Sequence, residues 1–512
     1  MFNKTSTRSA LVQIIVCCSL MRCVLALLLN LGNDEVYYFT YAVQPDWNHF
    51  DHPPLVGLFI RIFTFNLHWL NDLSMRLPAI AGAAINTWLI AQCGQKLGSE
   101  KGGLVAAILY NTSVYCSILS GLFILPDSVQ LVFWLASLHT MLSMLDTDAS
   151  TVSRNRNLLW LGCWIGLAIM SKVHGVFLWV GFAGFVFTSR LSLLRDPFLY
   201  VSLAITALIV SPIFLWNIQN DFITWQFHSN RVAITDGINL MSLMATMLGQ
   251  IAYNNPFNIA LAILALLSLR RRETEMSPRI ALLLWCSLPI IAATIVVSLF
   301  RPTLPHWSGP GFAGLILLSS HDVSNNSGKS RRGLISKLVS ASIGLMIFIV
   351  VAGLATVRYY PGTLGNNLAP NTGAGDATLD IYGWEQLLPE FRKIRLEDML
   401  TQTMTEDAPL VVHKWFPGAH LYYYVAFPLG MNVRGMGTLH DLHKFIWLND
   451  MNPPLSAGSC AYFISPSNNF TDPSVIYKNQ FDSIELAAKI PCRRNGKLAR
   501  YWYVFRLKGL LK

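Results

Sequence analysis

Apolar runs near the roughly 20 residues needed to cross a bilayer recur through the first 357 residues, and nothing else in the chain constrains its fold as tightly. They fall at about 10–30, 78–95, 102–120, 127–145, 157–171, 173–189, 197–216, 241–268, 280–300, 304–320 and 338–357. Eleven spans follow. The pair flanking Ser171-Lys172 is short, and Asn254-Asn255-Pro256 predicts a kink or break inside 241–268. Apolar residues make up 53% of the chain and charged ones 13%, which excludes a cytosolic enzyme and a disordered chain. Residues 1–357 hold 22 basic and 15 acidic side chains, whereas the shorter 358–512 holds 16 and 13. The sequence therefore predicts a polytopic α-helical membrane body, 1–357, followed by a water-soluble domain, 358–512.

Lysine and arginine set the orientation. With a cytoplasmic N-terminus, the inner segments carry Lys4, Arg8, Lys96, Lys101, Arg154, Arg156, Arg190, Arg195, Arg270, Arg271, Arg272, Arg279, Lys329, Arg331, Arg332 and Lys337. The outer loops carry only Arg61, Arg76, Lys172, Arg231 and Arg301. Eleven spans then put the tail outside the membrane, which is the periplasm, with the body in the inner membrane, if the source is a Gram-negative bacterium. Arg22 interrupts the first span, so it either pairs with an acid inside the bundle or reaches toward headgroups. The net charge is +10, yet no basic stripe with interleaved aromatics appears, and nucleic acid is not an expected partner. The tail mixes helical stretches (384–404, 417–427) with strands (410–413, 460–464, 501–507), an α/β pattern. Its two cysteines, Cys460 and Cys492, are expected to lie close enough to pair in an oxidising compartment.

Where the carboxylates sit decides what such a chain does. Transporters place ionisable groups within spans, but here the span interiors are nearly free of acids, which disfavours a solute transporter or lipid flippase. The acids gather at the outer ends instead. The first outer loop, 31–77, holds Asp34-Glu35, Tyr37-Tyr38, Asp46-Trp47, Phe50-Asp51-His52-Pro53-Pro54 and Met75-Arg76-Leu77-Pro78. Later outer loops add Pro126-Asp127, Ser171-Lys172-Val173-His174, Arg231, Arg301 and His306-Trp307. Several of these have plainer roles. Asp34-Glu35 and Asp127 suit helix starts, the prolines constrain Asp51-His52, and His174 and His306 suit packing. A divalent metal on Asp51, His52 or Asp127 is conceivable chemistry, but no tight ligand spacing supports one, and no metal or other cofactor is assigned.

The order Asp34-Glu35-x-Tyr-Tyr, Phe50-Asp51-His52-Pro53-Pro54, Arg76-Leu77-Pro78, Pro126-Asp127 and Ser171-Lys172 resembles the GT-C class of glycosyltransferases that use polyprenyl-phosphate sugars. The nearest pattern is the bacterial branch of the protein O-mannosyltransferase-like family, which includes transferases that add aminoarabinose or galacturonic acid to lipid A and its core. Asp380-x-Tyr382-Gly383-Trp384 extends the likeness weakly into the tail. The resemblance implies a GT-C fold, a polyprenyl-phosphate-linked sugar donor and a lipid or glycan acceptor; a secreted-protein hydroxyl is the alternative. It implies that Asp34 is the general base of an inverting transfer, with Glu35 orienting the acceptor or the base. Substrate contacts are then expected from Asp51, His52, Arg76, Asp127, Lys172, His174, Arg231, Arg301 and His306. A phosphate leaving group calls for a cation, and Lys172, Arg231 and Arg301 are the candidates.

Overall fold

The computed structural model describes residues 4–146, 150–234, 237–270, 276–325 and 329–511. Of the expected inward charges, Arg271 and Arg272, with the side chains of Lys4, Lys329, Arg331 and Arg332, lie outside the described residues. Helices dominate: α1 (Lys4–Leu28), α2 (Asn33–Val43), α3 (Leu55–Phe63), α4 (Asp72–Lys96), α5 (Glu100–Thr112), α6 (Pro126–Ser143), α7 (Thr151–Ser171), α8 (Phe177–Ser189), α9 (Pro197–Gln219), α10 (Ile223–Val232), α11 (Leu240–Tyr253), α12 (Pro256–Arg270), α13 (Pro278–Ser298), α14 (Gly309–Asn325) and α15 (Lys329–Tyr359). Each expected apolar run coincides with a helix or a helix pair. Five described helices are long and apolar enough to cross a membrane alone. Helices α11 and α12 meet that test only as a pair bent by 97° at the predicted break. Others, such as α5 and α8 at 13 residues each, are shorter.

The chain divides into two compact units that interleave in sequence. The first comprises Met1–Val24, Asp46–Phe59 and Arg76–Ile349; the second comprises Leu25–Pro45, Ile60–Met75 and Val350–Lys512. A single cut at 357/358 describes chain order, whereas compactness assigns parts of the 31–77 loop to the unit that holds the tail.

In the first unit, Trp134, Leu135, Leu138, Leu161, Phe182 and Leu282 belong to one buried cluster. Gly181 lets α8 lie on α13, since an added Cβ would stand 2.6 Å from the Trp285 carbonyl oxygen. Several buried polar side chains of this unit find hydrogen-bond partners inside it, the arrangement that burial favours. Asn255, at the α11–α12 break with φ of 66°, donates to the Thr112 carbonyl (2.9 Å) and to Ser342 Oγ (3.0 Å). Arg22 follows neither expected course. It is fully buried and donates to the Ser117 carbonyl (3.1 Å) and Asn111 Oδ1 (2.9 Å), which are neutral groups, not an acid or a headgroup.

The second unit contains a five-stranded sheet in the order β2-β1-β3-β5-β4, with β1 (Leu410–Val412), β2 (Val433–Gly435), β3 (Ala461–Pro466), β4 (Phe481–Arg494) and β5 (Lys497–Leu510). Strand β1 runs parallel to β2 and β3, while β3–β5 and β5–β4 are antiparallel. Helices α16 (Leu387–Leu400) and α17 (Trp415–Leu421) accompany the sheet. The α/β expectation holds, but the expected closeness of Cys460 and Cys492 does not. Cys492 on β4 faces Arg500 of β5, whereas Ala461, next to Cys460, faces Leu507 on the other side of β5. About seven residues of strand at roughly 3.4 Å each separate them along β5, far beyond the roughly 7 Å limit for a bridge. Both thiols are free.

Candidate active site

The expected site residues fall into two clusters, one in each unit. In the first unit, α7 ends at Ser171 and Lys172 turns extended (φ −156°, ψ 131°) before a 3-10 turn, Val173–Val176. Gly175 permits that turn, because a Cβ there would meet the Ala168 backbone at 2.6 Å. Lys172 is thereby sent into the interior, where its Nζ lies 2.7 Å from Asp127 Oδ2 with both side chains nearly inaccessible (3% and 4%). Tyr115 donates its hydroxyl to Asp127 Oδ1 (3.1 Å), and Gln130 Nε2 donates to the Lys172 carbonyl (2.8 Å). Asp127 begins α6, as expected, but its charge is matched by Lys172.

Helix α10 places its groups against the segment 48–52 at helical spacing. Thr224 Oγ1 accepts from Asn48 Nδ2 (3.0 Å), Phe227 meets Phe50 with ring centres 4.8 Å apart, and His228 Nε2 lies 2.7 Å from the Asp51 carbonyl. One turn on, the exposed Arg231 places its guanidinium 5.3 Å from the Phe227 ring centre and 5.4 Å from that of Trp307. Trp307 also packs on His174 (5.8 Å), and His306 on Tyr253 (6.4 Å). His52 stands 6.0 Å from His228. Burial first, then the neighbouring charges of His228, Lys172, His174 and Arg231, push the His52 imidazole well below its usual 6.5, and it stays neutral. His228 is lowered mainly by burial, partly offset by its contacts with Asp51. Arg301 donates from Nε to the Ala233 carbonyl (2.9 Å), and Arg76 is fully buried with its guanidinium 5.5 Å from the Phe123 ring centre. Among the described residues, no group of three or more His, Cys, Asp or Glu is placed to hold a metal.

In the second unit, α2 begins at Asn33 after Gly32, which has no side chain to cap the helix. Glu35 supplies the cap: buried, it accepts from the Gly32 N–H through Oε2 at 2.8 Å. Asp34, between these two, is exposed. The Asp380-x-Tyr382-Gly383-Trp384 motif belongs to the same cluster. Asn33 Nδ2 donates to Asp380 Oδ2 (3.0 Å), and the Trp384 amide donates to Asn30 Oδ1 (3.1 Å). Burial raises Asp380 above the usual 3.8, and its bond from Asn33 works in the other direction.

Sequence reasoning passed over His228, Tyr115, Asn33 and His420. The spacing of His228 to Arg231 on a short amphipathic helix was a usable signal, whereas Tyr115 and His420 reach their partners only through the fold.

Residues 51–216 match the family described as dolichyl-phosphate-mannose-protein mannosyltransferase. No curated protein matches the sequence. Among solved structures, ArnT from Cupriavidus metallidurans in the apo state is 13% identical, with a TM-score of 0.64 over 98% of each chain. The same protein bound to undecaprenyl phosphate gives a TM-score of 0.66 at 13% identity, over 96% of this chain and 97% of that one. The chain thus shares the ArnT fold along nearly its whole length, and residues 51–216 carry the match to the mannosyltransferase family.

Proposed function

We propose that this enzyme moves one sugar from a polyprenyl-phosphate carrier to an acceptor hydroxyl at the outer face of a bacterial inner membrane. Residues 1–357 are the catalytic body, with a cytoplasmic N-terminus, and 358–512 are the periplasmic domain. The observation that carries this reading is Asp34, an exposed carboxylate on the first turn of α2. Undecaprenyl phosphate bound to the similar ArnT supports a lipid-phosphate carrier.

In this mechanism the acceptor oxygen attacks the anomeric carbon and Asp34 takes its proton. The bond from that carbon to the phosphate oxygen breaks, polyprenyl phosphate departs, and the configuration inverts. General base catalysis of this kind is worth about 10²–10⁴-fold. Charge on the departing phosphate needs a cation. Arg231 fits best: its guanidinium lies over aromatic faces, and it forms no ion pair among the described residues, whereas Lys172 is already neutralised by Asp127. Glu35, capping its own helix, positions Asp34 and does not share the proton.

The acceptor assigned here is lipid A, lipopolysaccharide or a related envelope glycan. Protein O-mannosylation is the second reading, favoured by the description of the family matching residues 51–216. Mass spectrometry of envelope lipids and secreted proteins from wild-type and deletion strains separates the two. A one-sugar loss from a lipid or glycan supports the first, a lost hexose on secreted proteins supports the second, and no change in either contradicts both.

A further inference from the structure

The segment Asn30–Glu35 is held by side chains from widely separated parts of the second unit. Asn30 Nδ2 donates to Asp72 Oδ2 (3.3 Å), and the Leu31 amide donates to the Tyr424 hydroxyl (2.7 Å), which itself donates to Asp72 Oδ2 (3.0 Å). Asn33 makes the most directional attachment. Its Nδ2 donates to Asp380, so its Oδ1 is the acceptor facing His420 Nε2 at 2.9 Å. That polarity fixes the His420 tautomer with its proton on Nε2. Burial, and then the charge of Arg500, hold the imidazole well below its usual 6.5, so it is neutral.

His420 is fully buried in a stack of flat groups. Its ring lies 4.0 Å from Trp384 at 9° and 6.0 Å from Tyr424 at 13°, and the Arg500 guanidinium lies 4.1 Å from the Trp384 ring centre. A phenyl ring would fill the same slot. It would also avoid the cost of His420 Nδ1, which is buried without a hydrogen-bond partner. Packing therefore does not account for an imidazole here, and the bond to Asn33 does.

We propose that His420 and Asp380, acting through Asn33, are positioning residues for Asp34. The line of donors His420→Asn33→Asp380, braced by the Trp384–Arg500 stack, fixes the first turn of α2 and so the direction of the Asp34 carboxylate. The tail is then part of the catalytic apparatus. This rests on the reading of Asp34 as the base.

The test uses the full-length protein in membranes of the deletion strain, with variants at equal abundance. The readout is the rate at which the one-sugar-heavier species, identified by the strain comparison, appears. His420→Phe and Asp380→Leu are expected to slow that rate about 10- to 100-fold, the range for a displaced catalytic group, with thermal stability unchanged. Asp380→Asn, which keeps an acceptor oxygen for Asn33, is expected to retain most activity. In nanodiscs, His420→Phe should speed amide exchange at residues 33–38. In an Asp34→Asn background, His420→Phe should cost nothing further. Normal turnover by His420→Phe beside a slow Asp34→Asn overturns the positioning role alone. Equal losses from His420→Phe with and without Asp34 also overturn it. Full turnover by Asp34→Asn overturns the parent reading, and the positioning role with it.

Discussion

At the scale of single residues, the first unit holds both a buried ion pair and an exposed cation. Asp127 and Lys172 form a buried pair at 2.7 Å. Removing one partner of such a pair leaves an uncompensated buried charge and costs about 3–5 kcal/mol. Lys172→Met should therefore lower the melting temperature of the detergent-solubilised protein. Adding Asp127→Leu to that variant should restore much of the loss, which differential scanning fluorimetry can read directly. Arg231 predicts the opposite balance. It is exposed and rests on Phe227 and Trp307 without an ion pair among the described residues. Arg231→Ala should leave the melting temperature nearly unchanged while slowing sugar transfer about 10²–10³-fold, as loss of a charge-stabilising donor does. The sequence displayed all three residues as outer-loop candidates, but it did not show that Lys172 is spent on Asp127. That pairing depends on a turn after α7 that only tertiary packing makes visible.

At the scale of elements, the clearest sequence signals were the ones with local causes. Asn254-Asn255-Pro256 announced the broken helix, and α11 and α12 diverge there by 97°. Replacing Asn255 with Ala removes its bonds to Thr112 and Ser342 and puts a Cβ-bearing residue without an amide at φ of 66°. A stability loss of about 1–3 kcal/mol is expected, measurable by thermal melting. Strands were harder. β4 was missed because its buried positions do not alternate regularly, although Asn495-Gly496, with φ of 46° and 77°, marks the hairpin it forms with β5. Just past β1, burial and then the charge of Lys414 lower His413 to about 4. The unfolded chain takes up this proton near 6.5 and the folded chain only near about 4, so the unfolded state holds more protons between those values. Stability contributed here is present above pH 6.5 and lost as pH falls toward 4. His413→Gln should flatten the decline in melting temperature over that window.

At the scale of the whole molecule, the sequence made the membrane body legible because hydropathy is a one-dimensional signal, and each expected run coincides with a helix or helix pair. It did not reveal that residues 25–45 and 60–75 pack with the tail, since that grouping is set by contacts such as Asn33 with Asp380 across 347 positions. Topology offers an independent check. Alkaline phosphatase fused after residue 512 should be active, and the same reporter inserted near 150–156 should be silent; the reverse pattern contradicts an outward-facing tail. The most direct test of the central claim is the rate of sugar transfer in membranes holding equal amounts of wild type and Asp34→Asn. Asn keeps the size and most of the hydrogen bonding of Asp at a helix start but cannot take the acceptor's proton. A rate about 10²–10⁴-fold lower, with unchanged abundance and melting, is the predicted result, and a wild-type rate from Asp34→Asn would contradict it.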